Sequence, residues 1–209
     1  MRTIDERDRA GALLRLFLTV GLLVPPIALA QTKDVAIPMK GDTEIGGFIG
    51  SSYGLDSWRV MGGGNFAYAV HKVVMPYVEY SYFPGIQRQL TTPSGSANFS
   101  VALSDIHGGV HIRIPLGQSP VVPYVVAGAG TILYQDAPVK ITFPDGFTLN
   151  DTIKGSSSFA ANFGGGLRFY TKERVGFRFE AKVYKPTGTY TTPFYKVEAG
   201  VFFLIRSGH

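Results

Sequence analysis

Along residues 174–186 the odd positions are apolar (Val175, Phe177, Phe179, Ala181, Val183), while the even positions run Gly176, Arg178, Glu180, Lys182 and Tyr184. Residues 194–206 repeat the pattern: Tyr195, Val197, Ala199, Val201, Phe203 and Ile205 oppose a face that begins Lys196, Glu198, Gly200. In 157–170, Phe159, Ala161, Phe163, Leu167 and Phe169 alternate with Ser158, Asn162, Gly164 and Arg168. A period of two is the mark of a β-strand with two unlike faces, because successive side chains point to opposite sides of a sheet. Such segments recur at about 44–53, 57–70, 73–84, 98–115, 121–135, 157–170, 174–186 and 194–206, which predicts eight strands. Most are as long as or longer than the roughly 9–11 residues that a tilted membrane strand needs.

The connections alternate in length. Residues 71–72, 116–120 and 171–173 are tight, whereas 85–97, 136–156 and 187–193 are long, and 54–56 is a short exception in the long set. Tight turns at one end and long loops at the other are the pattern of a barrel with one end in the periplasm and the other outside. An even strand count returns both termini to the periplasmic end.

Alternation does not say which face points inward. Three features favour lipid outside. The apolar faces carry no charge at strand centres. Aromatics gather near strand ends (Tyr68, Tyr82, Tyr124, Tyr134, Phe169, Tyr195), as interfacial girdles do. The opposite faces are rich in Gly, Ala and Ser, which suits a narrow lumen. The segment 98–115 changes phase, with Val101 and Leu103 odd but Ile106, Val110, Ile112 and Ile114 even, so a bulge near Ser104 or a strand start near Asp105 is expected.

Arg2, Arg7, Arg9 and Arg15 precede an apolar run from Leu16 to Val24, followed by Pro25-Pro26 and Ala28-Leu29-Ala30. Basic region, short apolar core and small-x-small site make a secretory leader, with cleavage expected after Ala30. Beyond it no apolar run is long enough to span a bilayer as a helix, so a membrane form of the chain must be a closed barrel that satisfies its own backbone. The chain has no cysteine, which excludes a disulfide scaffold and a lipid anchor through an N-terminal cysteine. Charged residues make up 17%, below the about 25% usual in soluble domains. The net charge of +5 is spread out, and no basic run marks a nucleic-acid surface.

The leader, the segment Glu44-Ile-Gly-Gly-Phe-Ile-Gly, the stretch Trp58 to Val70 with Gly62-Gly63-Gly64, and Tyr77-Val-Glu-Tyr-Ser-Tyr resemble small outer-membrane barrels of the OmpA/OmpX type. The resemblance covers most of the mature chain. It implies eight antiparallel strands, a lumen closed by polar networks, and roles in envelope integrity, adhesion or limited permeation.

Chemistry-bearing clusters are few. Gly62-Gly63-Gly64 and Gly164-Gly165-Gly166 lack the Lys-Ser/Thr and helix of a phosphate loop and read as places of close strand approach. His107 and His111 share a face with Asp105, Gly109 and Arg113, but four strand residues separate them by about 13 Å, too far to share one ion. No compact Ser-His-acid arrangement appears. The constellation that stands out is ionic: Arg59, Glu79, Asp105, Arg113, Arg168, Arg178, Glu180, Lys182, Lys196 and Glu198 can all point into one lumen, where opposite charges must pair.

The expectation is an all-β chain: an eight-stranded antiparallel up-and-down transmembrane β-barrel over 44–206, after a cleaved signal peptide over 1–30 and a periplasmic lead-in over 31–43. It is expected in the bacterial outer membrane as a monomer among outer-membrane lipids, with a structural or interaction role. Surface-ligand contacts are expected at 85–97 and 136–156, and no catalytic residue, cofactor, metal or nucleic-acid partner is expected. A narrow porin-like channel for small solutes and a soluble periplasmic lipocalin-like carrier are the alternatives.

Overall fold

The computed structural model describes residues 38–55, 57–117, 119–171, 174–188 and 192–207. The expected leader over 1–30 and the first part of the lead-in, 31–37, lie outside the described residues. Ten strands follow in order: β1 (Thr43–Leu55), β2 (Ser57–Tyr68), β3 (Val74–Thr92), β4 (Gly95–Arg113), β5 (Val121–Tyr134), β6 (Ala137–Thr142), β7 (Thr148–Ile153), β8 (Ser156–Tyr170), β9 (Val175–Pro186) and β10 (Phe194–Ile205).

Eight of them form a closed antiparallel ring. β1 pairs with both β2 and β10, β3 pairs with β4, and β5 pairs with β8. Closure leaves the wall no free edge. One row of the ladder, Ile205–Thr43–Tyr68, fixes one end of the barrel, where the described residues 38–42, 69–73 and 206–207 lie.

The outer parts of β3 and β4 and the remaining two strands overturn part of the loop expectation. Residues 85–97 are mostly strand, because β3 and β4 continue as a hairpin from Ile86↔Val101 to Thr92↔Gly95. This extension lies beyond the last wall pairs, Gly62↔Tyr82 and Leu103↔Tyr134, and reaches roughly 20 Å at about 3.3 Å per residue. Within 136–156, β6 and β7 form a second hairpin, and β6 pairs with the outer part of β4 through Ser96↔Thr142 to Phe99↔Val139. The result is a four-stranded external sheet in the order β3, β4, β6, β7. Its base is clipped by Asp136, which accepts from the Gly155 amide (2.7 Å) and from Lys154 (3.5 Å). Those two contacts hold the exposed Asp136 carboxyl below its usual range.

The wall is inverted relative to a soluble protein. Ile49 (74% exposed), Val60 (70%), Phe163 (60%), Phe203 (57%) and Phe179 (53%) look outward, while Lys196, Arg168 and Glu44 are completely buried inside. Trp58, Tyr53, Tyr195 and Tyr82 lie outward toward the external end, and Tyr68 outward at the turn end.

Two expectations about side-chain direction need correction. Tyr124 and Tyr134 do not join the girdles. Both lie on the even face of β5, where Tyr124 is buried in the lumen and Tyr134 packs against buried Phe48, Met61, Phe83 and Leu103. Nor does β4 change phase at Ser104: Leu103, Asp105, His107, His111 and Arg113 are all buried on the odd face, and Val101 packs with Leu103. The apolar odd residues belong to a greasy layer inside the barrel. The irregularity sits across the ladder on β3, where Pro84-Gly85 bulge opposite Ala102.

Candidate functional site

The lumen is filled in layers. Toward the external end, Phe48, Met61, Phe83 and Leu103 form one apolar cluster, and Ile132, Ala160, Tyr184 and Phe194 another. Toward the turn end, Val122, Tyr170 and Phe202 pack together. The ions lie between and beside these clusters: Arg168 shares a row with Val122, and Asp105 shares one with Ile132.

Their arrangement follows from the register. Across β9 and β10, Lys182 stands opposite Lys196 and Glu180 opposite Glu198. Like charges directly opposite are unfavourable, so the hairpin cannot neutralise itself row by row. Diagonal pairs across the strands do part of the work, Arg178 donating to Glu198 at 2.8 Å and Lys182 lying 3.6 Å from it, and along β9 Lys182 reaches Glu180 at 2.5 Å. Glu79, projecting from β3 across the lumen, does the rest. It accepts from Lys182 at 2.7 Å and from Lys196 at 3.2 Å, and lies 3.6 Å from Arg178. Lys196 also donates to Ser81 (2.6 Å) and Asp105 (3.2 Å).

Seven of the ten expected residues thus meet in one cluster: Glu79, Asp105, Arg178, Glu180, Lys182, Lys196 and Glu198. Arg168 is joined to it indirectly, since its Nη2 contacts His111 Nδ1 at 2.8 Å and His111 Nε2 lies 3.6 Å from Glu180. Arg59 and Arg113 are held by backbone carbonyls, Arg59 by Val101 (3.0 Å) and Arg113 by His71 (3.1 Å) and Pro38 (3.3 Å).

The sequence reading missed Glu44, which accepts from Arg168 Nε (3.0 Å) and the Tyr170 hydroxyl (2.7 Å). Its parity, opposite to that of the apolar Ile45 and Ile49, was the available signal. It also missed the tyrosines. Tyr124 donates to Glu180, and Tyr77 stacks on His111 with centroids 4.2 Å apart while donating to Asn162 (3.2 Å). These rings need glycine beneath them: a Cβ at Gly128 would lie 2.7 Å from the Tyr77 hydroxyl, and one at Gly166 2.8 Å from Tyr124 Cζ. The Gly164–Gly166 cluster therefore serves close approach in part by making room for Tyr124.

Glu79, Glu180 and Glu198 also offer three carboxylate oxygens within 4.8 Å of one another, which is the spacing of a cation site. The Lys182 ammonium contacts all three residues and supplies the cation itself.

The connectivity ranks the carboxylates. Glu79 faces three cations, two of them lysines within 3.2 Å, and Glu198 faces two, only Arg178 within 3.2 Å. Glu79→Gln should therefore cost about 3 kcal/mol and Glu198→Gln under about 1.5 kcal/mol, read by urea unfolding in bilayers. Equal costs would mean that the network is not centred on Glu79.

Among solved structures, the fold matches that of a major outer membrane protein from Thermus thermophilus, with a TM-score of 0.61 at 9% identity over 79% of this chain and 99% of that one. It also matches Neisserial surface protein A (NspA), with a TM-score of 0.50 at 13% identity over 78% of this chain and 95% of that one. No protein-family model and no curated protein sequence matches the chain. The resemblance to small outer-membrane barrels therefore holds at the level of the fold, a closed eight-stranded antiparallel β-barrel.

Proposed function

We propose that the chain is an integral, monomeric barrel of a bacterial outer membrane, exported by its leader, that conducts no solute and acts as a rigid stem for the external sheet. The observation that carries this reading is the inversion of polarity, with apolar side chains exposed around the wall and paired ions buried within it. A soluble carrier needs the opposite arrangement, a greasy interior and a hydrated exterior. A channel needs a continuous wet path, which the buried apolar clusters and paired ions that fill the lumen disfavour.

The external sheet suits an interaction role. One face carries the row Leu90, Ala97, Ile141, Leu149, and the other carries Thr91, Ser96, Thr142, Thr148 with Gln89, Asn98, Lys140, Asn150 beside it. β7 is exposed along its whole length and ends the strand order, so its outer edge can accept a partner strand. Asp151 shares a row with Val139 and Phe99. A second copy pairing antiparallel about that position would set two Asp151 carboxylates side by side, which favours a monomer.

Two measurements on refolded protein test the reading. The protein should float with lipid vesicles through an alkaline wash, and it should give no discrete conductance steps in a planar bilayer. Release without detergent would support the soluble carrier instead, and stepwise conductance would support the channel.

A further inference from the structure

The two ends of the barrel differ in charge. At the turn end the exposed charged side chains among the described residues are Lys40, Lys72, Arg174 and Arg206, all cationic. The two acids described there are turned inward. Asp42 is buried and accepts from the amides of Met39 (2.8 Å) and Ser207 (3.2 Å), and buried Glu44 is held by Arg168 and Tyr170. At the external end the exposed charges among the described side chains are of both signs, Lys140, Lys154 and Lys185 with Asp136, Asp145 and Asp151.

The cations are also grouped around the ring. Arg174 precedes β9, Arg206 follows β10, Lys40 precedes β1 and Lys72 lies between β2 and β3, so they cover a continuous arc of neighbouring strands. Exposed Met39 (64%), Ile205 (50%) and Val70 (40%) lie among them. Cations beside outward apolar side chains, at one level of a membrane wall, match the junction of acyl chains and anionic headgroups.

We infer that this arc binds the anionic headgroups of glycerophospholipids in the leaflet at the turn end, holding the barrel at a fixed depth. The inference rests on the membrane reading above. The charge is complementary, and the end where residues 38–42 and 206–207 lie is, on that reading, the periplasmic one, where the facing leaflet supplies phospholipid.

The test uses the full chain, refolded into phosphatidylcholine bilayers that contain spin-labelled phosphatidylglycerol or spin-labelled phosphatidylcholine. Phosphatidylglycerol should be enriched about threefold over phosphatidylcholine in the motionally restricted lipid at the protein surface. The enrichment should weaken at high salt as the screening length shortens. Lys72→Gln/Arg174→Gln/Arg206→Gln should bring it close to parity, and Lys154→Gln/Lys185→Gln should leave it unchanged. Inorganic phosphate at constant ionic strength should not displace it.

Parity in the unaltered protein, equal loss in both variants, or displacement by phosphate would each overturn the inference, the last by showing a soluble-anion site. A protein that inserts without lipid preference refutes the headgroup arc alone. A protein that does not insert refutes the membrane reading with it.

Discussion

Replacing Lys182 by Met should cost the folded barrel about 3–5 kcal/mol, because it strands buried charge in a place that water does not reach. Lys182 lies 2.7 Å from Glu79, 2.5 Å from Glu180 and 3.6 Å from Glu198, and its side chain is completely buried. Methionine fills most of the volume, so the loss is electrostatic rather than a cavity effect. Three carboxylates within 4.8 Å would then face one another with Arg178 and Lys196 at their edges. Two further measurements separate this cause from general damage. Lys182→Met/Glu180→Gln should recover part of the loss, since it removes one of the stranded charges. Millimolar Ca2+ should stabilise Lys182→Met and leave the unaltered protein unchanged, because three carboxylates freed of their ammonium form a set of hard oxygen ligands. Urea unfolding in bilayers, followed by the emission of the lone Trp58, reads all three proteins. A Lys182→Met barrel within about 1 kcal/mol of the original would mean that the carboxylates find other partners and that the cluster is not what closes the lumen.

That dependence shows where the sequence is legible and where it is not. Strands β8, β9 and β10 could be read residue by residue because charge or small size alternates with aromatic bulk, and a one-residue slip would put every charge on the apolar face. Strand β5 could not. Val121-Val-Pro-Tyr-Val-Val is apolar on both faces, so Tyr124 reads equally well as a girdle residue or as the lumen donor that it is. The β3–β4 extension was hidden for a related reason. Its residues lie beyond the wall, where Gln89, Leu90, Thr91 and Thr92 are exposed on both faces, and Gln, Thr and Ser there look like loop. Which side chains face the lumen is a local property with a period of two. Which of them touch is not local: Lys182 and Glu79 are 103 positions apart, and their meeting depends on the register of every ladder between them. The sequence shows that Lys182 and Lys196 lie on like faces of adjacent strands. That Glu79 lies between them follows from closure of the ring.

Phe179→Arg should abolish insertion of the refolded chain into vesicles, while Phe179→Leu should insert like the original. Phe179 lies outward near the middle of β9, opposite Ala199 on one side and Leu167 on the other, with its ring edge-on to Phe169 at 5.9 Å. It is 53% exposed, which in water would be an unusual position for a phenyl ring in the midst of a sheet. Against acyl chains it is ordinary, and an arginine there costs about 2–4 kcal/mol at mid-depth. The neighbouring position provides the internal control. Arg178 is one residue away, carries the same charge at the same depth, and is accommodated because it turns inward to Glu198 and Glu79. Two adjacent arginines, one tolerated and one excluded, would differ in nothing but the face on which they stand. If the wall were instead hydrated, the Phe179→Arg substitution would improve solubility and leave folding intact. The gel shift between folded and unfolded barrel, measured at several lipid-to-protein ratios, tells these outcomes apart. A Phe179→Arg chain that inserts as fully as the original would place that face away from lipid and remove the basis for a membrane location.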